Sequence, residues 1–161
     1  MVIQGRAWKL GDNIDTDLII PGKYLHISNI QELAEHTFEG IWPGFCRQVI
    51  PGDIIVAGRN FGCGSSRESA VGVLKELGIG GVVAVSFARI FFRNAINIGL
   101  PVLEVPSVTA IAEGDEISVD LRRGMVTDLK NREIIVGSPL PEFILEIIAC
   151  GGLVNYKNKE K

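Results

Sequence analysis

Cysteine, histidine and an excess of either charge are what this chain has little of. Its 161 residues include three cysteines and two histidines. Cys46, Cys63 and Cys150 are odd in number and far apart, which argues against a disulfide framework and against a Cys-x-x-Cys metal site. Each reads first as a small buried hydrophobe. The formal net charge is only −3, so no basic field recruits nucleic acid. No apolar run reaches membrane-spanning length, and the first residues, Met1-Val2-Ile3-Gln4-Gly5-Arg6, lack the charged-then-apolar layout of a secretory signal. The expectation is a cytoplasmic protein with neither a nucleic-acid nor a membrane partner.

Two cofactor signatures are also missing. A nucleoside triphosphate loop needs Gly-Lys-Ser/Thr, and no lysine precedes Ser65. A dinucleotide fingerprint needs a third glycine where, counting from Gly62, Arg67 stands.

What is present is apolar surface, 47% of the residues, enough for one folded domain over residues 1–161. Lys157 to Lys161 reads as a solvated tail. The informative stretch is Gly58-Arg59-Asn60-Phe61-Gly62-Cys63-Gly64-Ser65-Ser66-Arg67-Glu68-Ser69. It joins the apolar run Asp53 to Ala57 to an amphipathic segment, the kind of strand-to-helix junction at which α/β sheets bind ligands. Gly62 and Gly64 can take positive φ and let backbone amides approach a guest. Ser65 and Ser66 are expected to open the helix, where unpaired amides and the dipole favour an anion. Arg67 adds a fork of donors that fits a carboxylate. The same letters also spell a capping box, Ser65-x-x-Glu68, which needs no ligand. Cys63, beside the expected positive helix end, is a filler or a thiol of lowered pKa.

In chain order, residues 2–8 read as a strand and Gly11 to His26 as a long irregular connection. Such loops are often functional. Its acids Asp12, Asp15 and Asp17 lack the offsets of a calcium loop, and Asp15 and Asp17 read as local Asx turns. Ser28 to Phe38 reads as a capped helix on which His36 has no partner at ligand spacing. Gly40 to Gly52 is turn-rich. Ala70, Val71, Leu74 and Leu77 then recur at helical spacing up to Gly78. Gly81 to Val85 is a buried strand, Ser86 to Gly99 a helix and Val102 to Val105 a strand. Arg89 and Arg93 share one face of that helix, as a cationic patch or as a cover for apolar surface. Two consecutive βαβ units give a parallel βαβαβ core. Residues 116–136 alternate as flanking antiparallel strands, and Pro141 to Ala149 is a closing helix.

Four stretches together resemble the small subunit of the aconitase superfamily in its isopropylmalate isomerase and homoaconitase branch: Asp15 to Pro21, Ala57 to Glu68, Ser86 to Asn94, and Gly151 to Tyr156. The resemblance implies an α/β fold of the swivelling β/β/α kind. It implies a hydro-lyase active only with a large subunit that carries a [4Fe-4S] cluster, so that no cofactor or metal sits on this chain. The reaction implied moves a hydroxyl between adjacent carbons of a small di- or tricarboxylate. For isopropylmalate it interconverts the 2- and 3-isomers in leucine biosynthesis. Carried over residue by residue, Ser65 matches the base that removes the proton α to a carboxylate. Ser66 and Arg67 match carboxylate-holding groups, and Asp17 matches an acid near the serine. The loop Tyr24 to Ser28 matches the one that sets specificity. There His26 replaces an arginine found where the substrate has an extra carboxylate, which leans toward isopropylmalate over homoaconitate-type acids. A stand-alone carboxylate-binding domain is the reading from another class.

Overall fold

The computed structural model describes residues 1–161. In chain order it contains β1 (Val2–Lys9), α1 (Thr16–Ile19), α2 (Ile30–Ala34), α3 (Phe45–Gln48), β2 (Ile54–Ala57), α4 (Glu68–Glu76), β3 (Gly81–Ala84), α5 (Arg89–Ile98), β4 (Val102–Glu104), β5 (Glu116–Asp120), β6 (Met125–Asp128), β7 (Ile134–Val136), α6 (Glu142–Ala149) and α7 (Leu153–Lys159).

The first strand is the seam of the molecule. Val2 to Arg6 pair antiparallel with Asp120 to Glu116 of β5. Ala7 to Lys9 pair parallel with Ile54 to Val56 of β2. One curled sheet results, in the order β4-β3-β2-β1-β5-β6-β7. The parallel βαβαβ core and the antiparallel flank expected from sequence are therefore joined through one strand. Gly5 stands at the handover, where an added Cβ would lie 2.0 Å from the Gly52 carbonyl oxygen. No side chain fits there. Buried Asp53 fastens the same crossing, accepting from Trp8 Nε1 at 2.8 Å, Arg6 Nη2 at 3.0 Å and the Ile50 amide at 2.9 Å.

β2 and β3 are buried along their whole length, as continuous apolar runs in a parallel sheet should be. Each of Ile54, Ile55 and Val56 contributes about 1.5–3 kcal/mol by burial. The rigid strands deliver the loops after β1, β2 and β3 to one end of the sheet, the carboxyl end, where open α/β sheets bind ligands.

Several local expectations need correction. The connection after β1 is not irregular throughout: it folds into α1 and a 3-10 turn at Gly22–Tyr24. The helix expected over 28–38 covers only Ile30–Ala34. Its cap is Asn29, whose side chain accepts from the Glu32 amide at 3.0 Å, and not Ser28. Phe38 takes φ +56° and turns fully into the core, ending any helical continuation. The turn-rich segment 40–52 holds the short helix α3. The last residues are exposed, but Lys157 to Lys159 belong to α7 and are not a simple tail. No helix is long and apolar enough to cross a membrane.

Candidate active site

The loop between β2 and α4 is fastened from two sides. On one side the Gly62 amide donates to the Ile14 carbonyl at 2.7 Å, and the Thr16 amide donates to the Cys63 carbonyl at 2.9 Å. The buried Thr16 hydroxyl donates to the Ser65 carbonyl at 2.8 Å. On the other side, the Phe61 amide donates to Ser86 at 3.0 Å and the Ala88 amide donates to Phe61 at 2.9 Å. Gly62 and Gly64 take φ +80° and +91°, as their sequence setting predicts. At Gly62 the close neighbour is the Phe91 side chain, whose Cγ would lie 2.2 Å from an added Cβ. Glycine there serves packing, and Gly64 lies open beside Thr16.

This bracing leaves the tip of the loop unused by the fold. Ser65 and Ser66 are exposed. The amides of Gly64, Ser65, Ser66 and Arg67 donate to no protein acceptor. Consecutive free amides of this kind are donors available to an anion. The tip faces the first turn of α5 across a cleft of about 200 Å³ whose far wall is Ala88 to Phe91 and Asn94. No side chain caps that turn of α5, so its positive end is open to the cleft.

The helix expected at Ser65 begins three residues later. α4 starts at Glu68, and its cap residue, Arg67, makes no side-chain capping bond. The Ser65-x-x-Glu68 box is therefore not formed. The helix end that looks into the cleft is that of α5, brought there by the Phe61 and Phe87 bridge. Cys63 moves the other way from a reactive thiol: burial, followed by the nearby Asp15 carboxylate, pushes its pKa up. No helix end lies beside it, and a backbone hydrogen bond offsets these effects only in part.

Arg67 lies at the junction of the cleft and the loop bearing His26. Its side chain is 18% exposed, and Nη1 donates to Asp17 Oδ1 and to the Ile20 carbonyl, both at 3.1 Å. Nη2 and Nε are committed to nothing in the protein. Asp17 also accepts from the Gly22 amide at 2.9 Å. That amide first and Arg67 second hold its carboxyl below the usual carboxylate range. Asp17 thus does more than make a local turn, and Asp12 likewise reaches across to the Arg59 amide at 2.7 Å. Asp15 alone of the three is a purely local cap, accepting from Leu18 at 2.7 Å.

The structure gathers Ser65, Ser66 and Arg67 in one cleft and leaves Asp17 and His26 out of its lining. His26 is exposed, its Nδ1 set 2.9 Å from the Lys23 carbonyl. Its loop rests on Tyr24, whose ring stacks on His36 with centroids 3.7 Å apart. His36 also approaches Glu39 at 3.4 Å. Thr16 and Asn94 are cleft residues that sequence reasoning did not single out. Both lie inside stretches that carry the resemblance, which was the available signal. No three His, Cys, Asp or Glu side chains gather to hold a metal.

The fold is an α/β domain of the aconitase type, and the family described as Aconitase C-terminal domain matches residues 47–107. The 3-isopropylmalate dehydratase small subunit of Methanosarcina acetivorans is 53% identical over 98% of this chain and 97% of its own length. The methanogen homoaconitase small subunit of Methanothermobacter thermautotrophicus is 54% identical over 96% of this chain and 90% of its own. The crystal structure of a 3-isopropylmalate dehydratase from Methanocaldococcus jannaschii superposes with a TM-score of 0.93 at 48% identity, covering 99% of this chain and 95% of that one. The chain belongs to the 3-isopropylmalate dehydratase small-subunit family.

Proposed function

We propose that this chain is the small subunit of a hydro-lyase that interconverts 2- and 3-isopropylmalate for leucine biosynthesis, active only when a large subunit closes over the cleft. The observation that carries the reading is the Ser65 hydroxyl, held by its own braced backbone at the tip of a loop with four free amides, beside Arg67. A serine is a weak base in water. Fixed donors and positive charge stabilise its alkoxide, and exclusion of water by a partner strengthens both effects.

In this reading the Ser65 alkoxide takes the proton from the carbon α to a substrate carboxylate. The electron pair left behind forms the double bond as the hydroxyl on the adjacent carbon, protonated by a general acid of the large subunit, departs as water. Rehydration runs the same steps with the two carbons exchanged, and Ser65 returns the proton. Ser66 and the free edge of Arg67 hold the carboxylate whose α-carbon reacts. Asp17 aims Arg67. His26 faces the remainder of the substrate and sets its preference.

The [4Fe-4S] cluster belongs to the large subunit in this proposal. The separate thiols of Cys46, Cys63 and Cys150 supply no ligand set for it.

A second reading, a homoaconitate-type substrate, is favoured by the 54% identical homoaconitase relative. His26 decides between them, because an imidazole rewards an extra carboxylate less than the bidentate fork of an arginine does. The test is reconstitution. The purified chain alone is inactive, and adding a cluster-loaded large subunit gives turnover of isopropylmalate well above that of homoaconitate. Turnover by the isolated chain, or tight binding of malate-type acids without a partner, contradicts the proposal.

A further inference from the structure

Arg67 offers the cleft only part of its charge, because Asp17 takes one side of the guanidinium. A malate-type substrate carries two or more carboxylates. Arg67 with Ser66 accounts for one, and a cation of the same cleft that no acid of the protein already satisfies is suited to another.

Arg89 is such a cation. It is the first residue of α5 and lines the same cleft as Ser65, Ser66 and Arg67. No carboxylate lies within ion-pair distance of it, in contrast to Arg67. It also walls the larger neighbouring cavity of about 440 Å³, with Phe92, Leu140 and Ile144. Its stem can therefore lie along apolar surface while the guanidinium turns to the cleft. Buried Phe91, packed edge-on against Phe61 with centroids 5.1 Å apart, fixes the helix and with it the base of Arg89. Arg93 is exposed on the same helix four residues on, also without an ion pair, and does not line the cleft.

We propose that Arg89 is a substrate-binding residue, gripping the carboxylate that Arg67 does not hold. The assignment rests on the proposed function above. A bidentate guanidinium contact suits a carboxylate in geometry as well as charge. Because the contact is present before and during reaction, its loss weakens binding more than it slows chemistry.

The test uses the reconstituted two-subunit enzyme with isopropylmalate. Arg89→Gln is expected to raise KM about 10- to 100-fold while kcat stays within about threefold and the subunits still co-elute. Arg89→Lys is expected to recover part of the loss, and Arg93→Gln to leave both constants at the wild-type level. An unchanged KM in Arg89→Gln overturns the proposal, as does an equal rise in Arg93→Gln, a fall in kcat alone, or loss of subunit assembly. Should Arg89→Gln not fold, Arg89→Lys decides: a raised KM in the folded enzyme supports the assignment and a wild-type KM overturns it. Ser65→Ala run in parallel separates the two levels. If it keeps turnover, the proposed function fails. If it is inactive while Arg89→Gln behaves as wild type, only the Arg89 assignment fails.

Discussion

The Ser65 loop is clamped on both flanks by backbone hydrogen bonds, from Ile14 and Thr16 on one side and from Ser86 and Ala88 on the other. The His26 loop is held by a 3-10 turn and one aromatic stack, and His26 itself points into solvent. The two meet at Arg67, packed over Gly22, where an added Cβ would lie 3.3 Å from its Nη2. The first loop resists change because its backbone is shared with two neighbouring segments. The second can exchange side chains at little cost to the fold. Under the proposed function, chemistry falls to the braced loop and selectivity to the free one, a division the contrast in bracing supports. It agrees with relatives of nearly equal identity that bear different substrate names.

Four substitutions probe that division. Breaking the braced loop is expected to cost most. Gly62→Ala puts a Cβ into the Phe91 ring at a positive φ and should destabilise the chain by about 2–4 kcal/mol, read as a lower Tm or denaturant midpoint. On the free loop, His26→Arg should leave the midpoint unchanged and shift kcat/KM toward the substrate with an extra carboxylate by about three- to tenfold. Thr16→Val removes the tie to the Ser65 carbonyl, at about 1 kcal/mol of stability and a loss of about fivefold in kcat. The smallest effect is expected at the joint: Asp17→Asn should raise KM about two- to fivefold.

Asp17 also sets a pH signature. Its folded pKa is depressed, by the Gly22 amide first and Arg67 second. The ion pair is therefore complete above the ordinary carboxylate pKa near 4 and is lost as pH falls through the lower folded value. KM should be flat through neutrality with respect to this group and rise only in acid. The Asp17→Asn enzyme should lack that acidic rise.

Much of this was legible in the chain. The parallel core followed from continuous apolar runs such as Gly81 to Val85, and the positive φ of Gly62 and Gly64 from their place in a strand-to-helix turn. The cluster of Ser65, Ser66 and Arg67 followed from local sequence because the three are consecutive. The facing wall did not, since Ala88 to Phe91 is brought there by pairing of Phe61 with Phe87, a long-range contact with no local signature. The same limit explains the misplaced helix start. Ser65-x-x-Glu68 has the letters of a cap, but the Thr16 hydroxyl holds the Ser65 carbonyl and Arg67 is extended, so the helix waits until Glu68. The role of Asp17 was hidden likewise, because its partner lies fifty residues away.

The central claim is that the unencumbered hydroxyl at position 65 performs the proton transfer. Ser65→Ala in the reconstituted enzyme measures it most directly. The account predicts a fall in kcat of about 10²- to 10⁴-fold, with KM within about threefold and the subunits still assembled. A kcat near that of the wild type, from a folded and assembled Ser65→Ala enzyme, would contradict it.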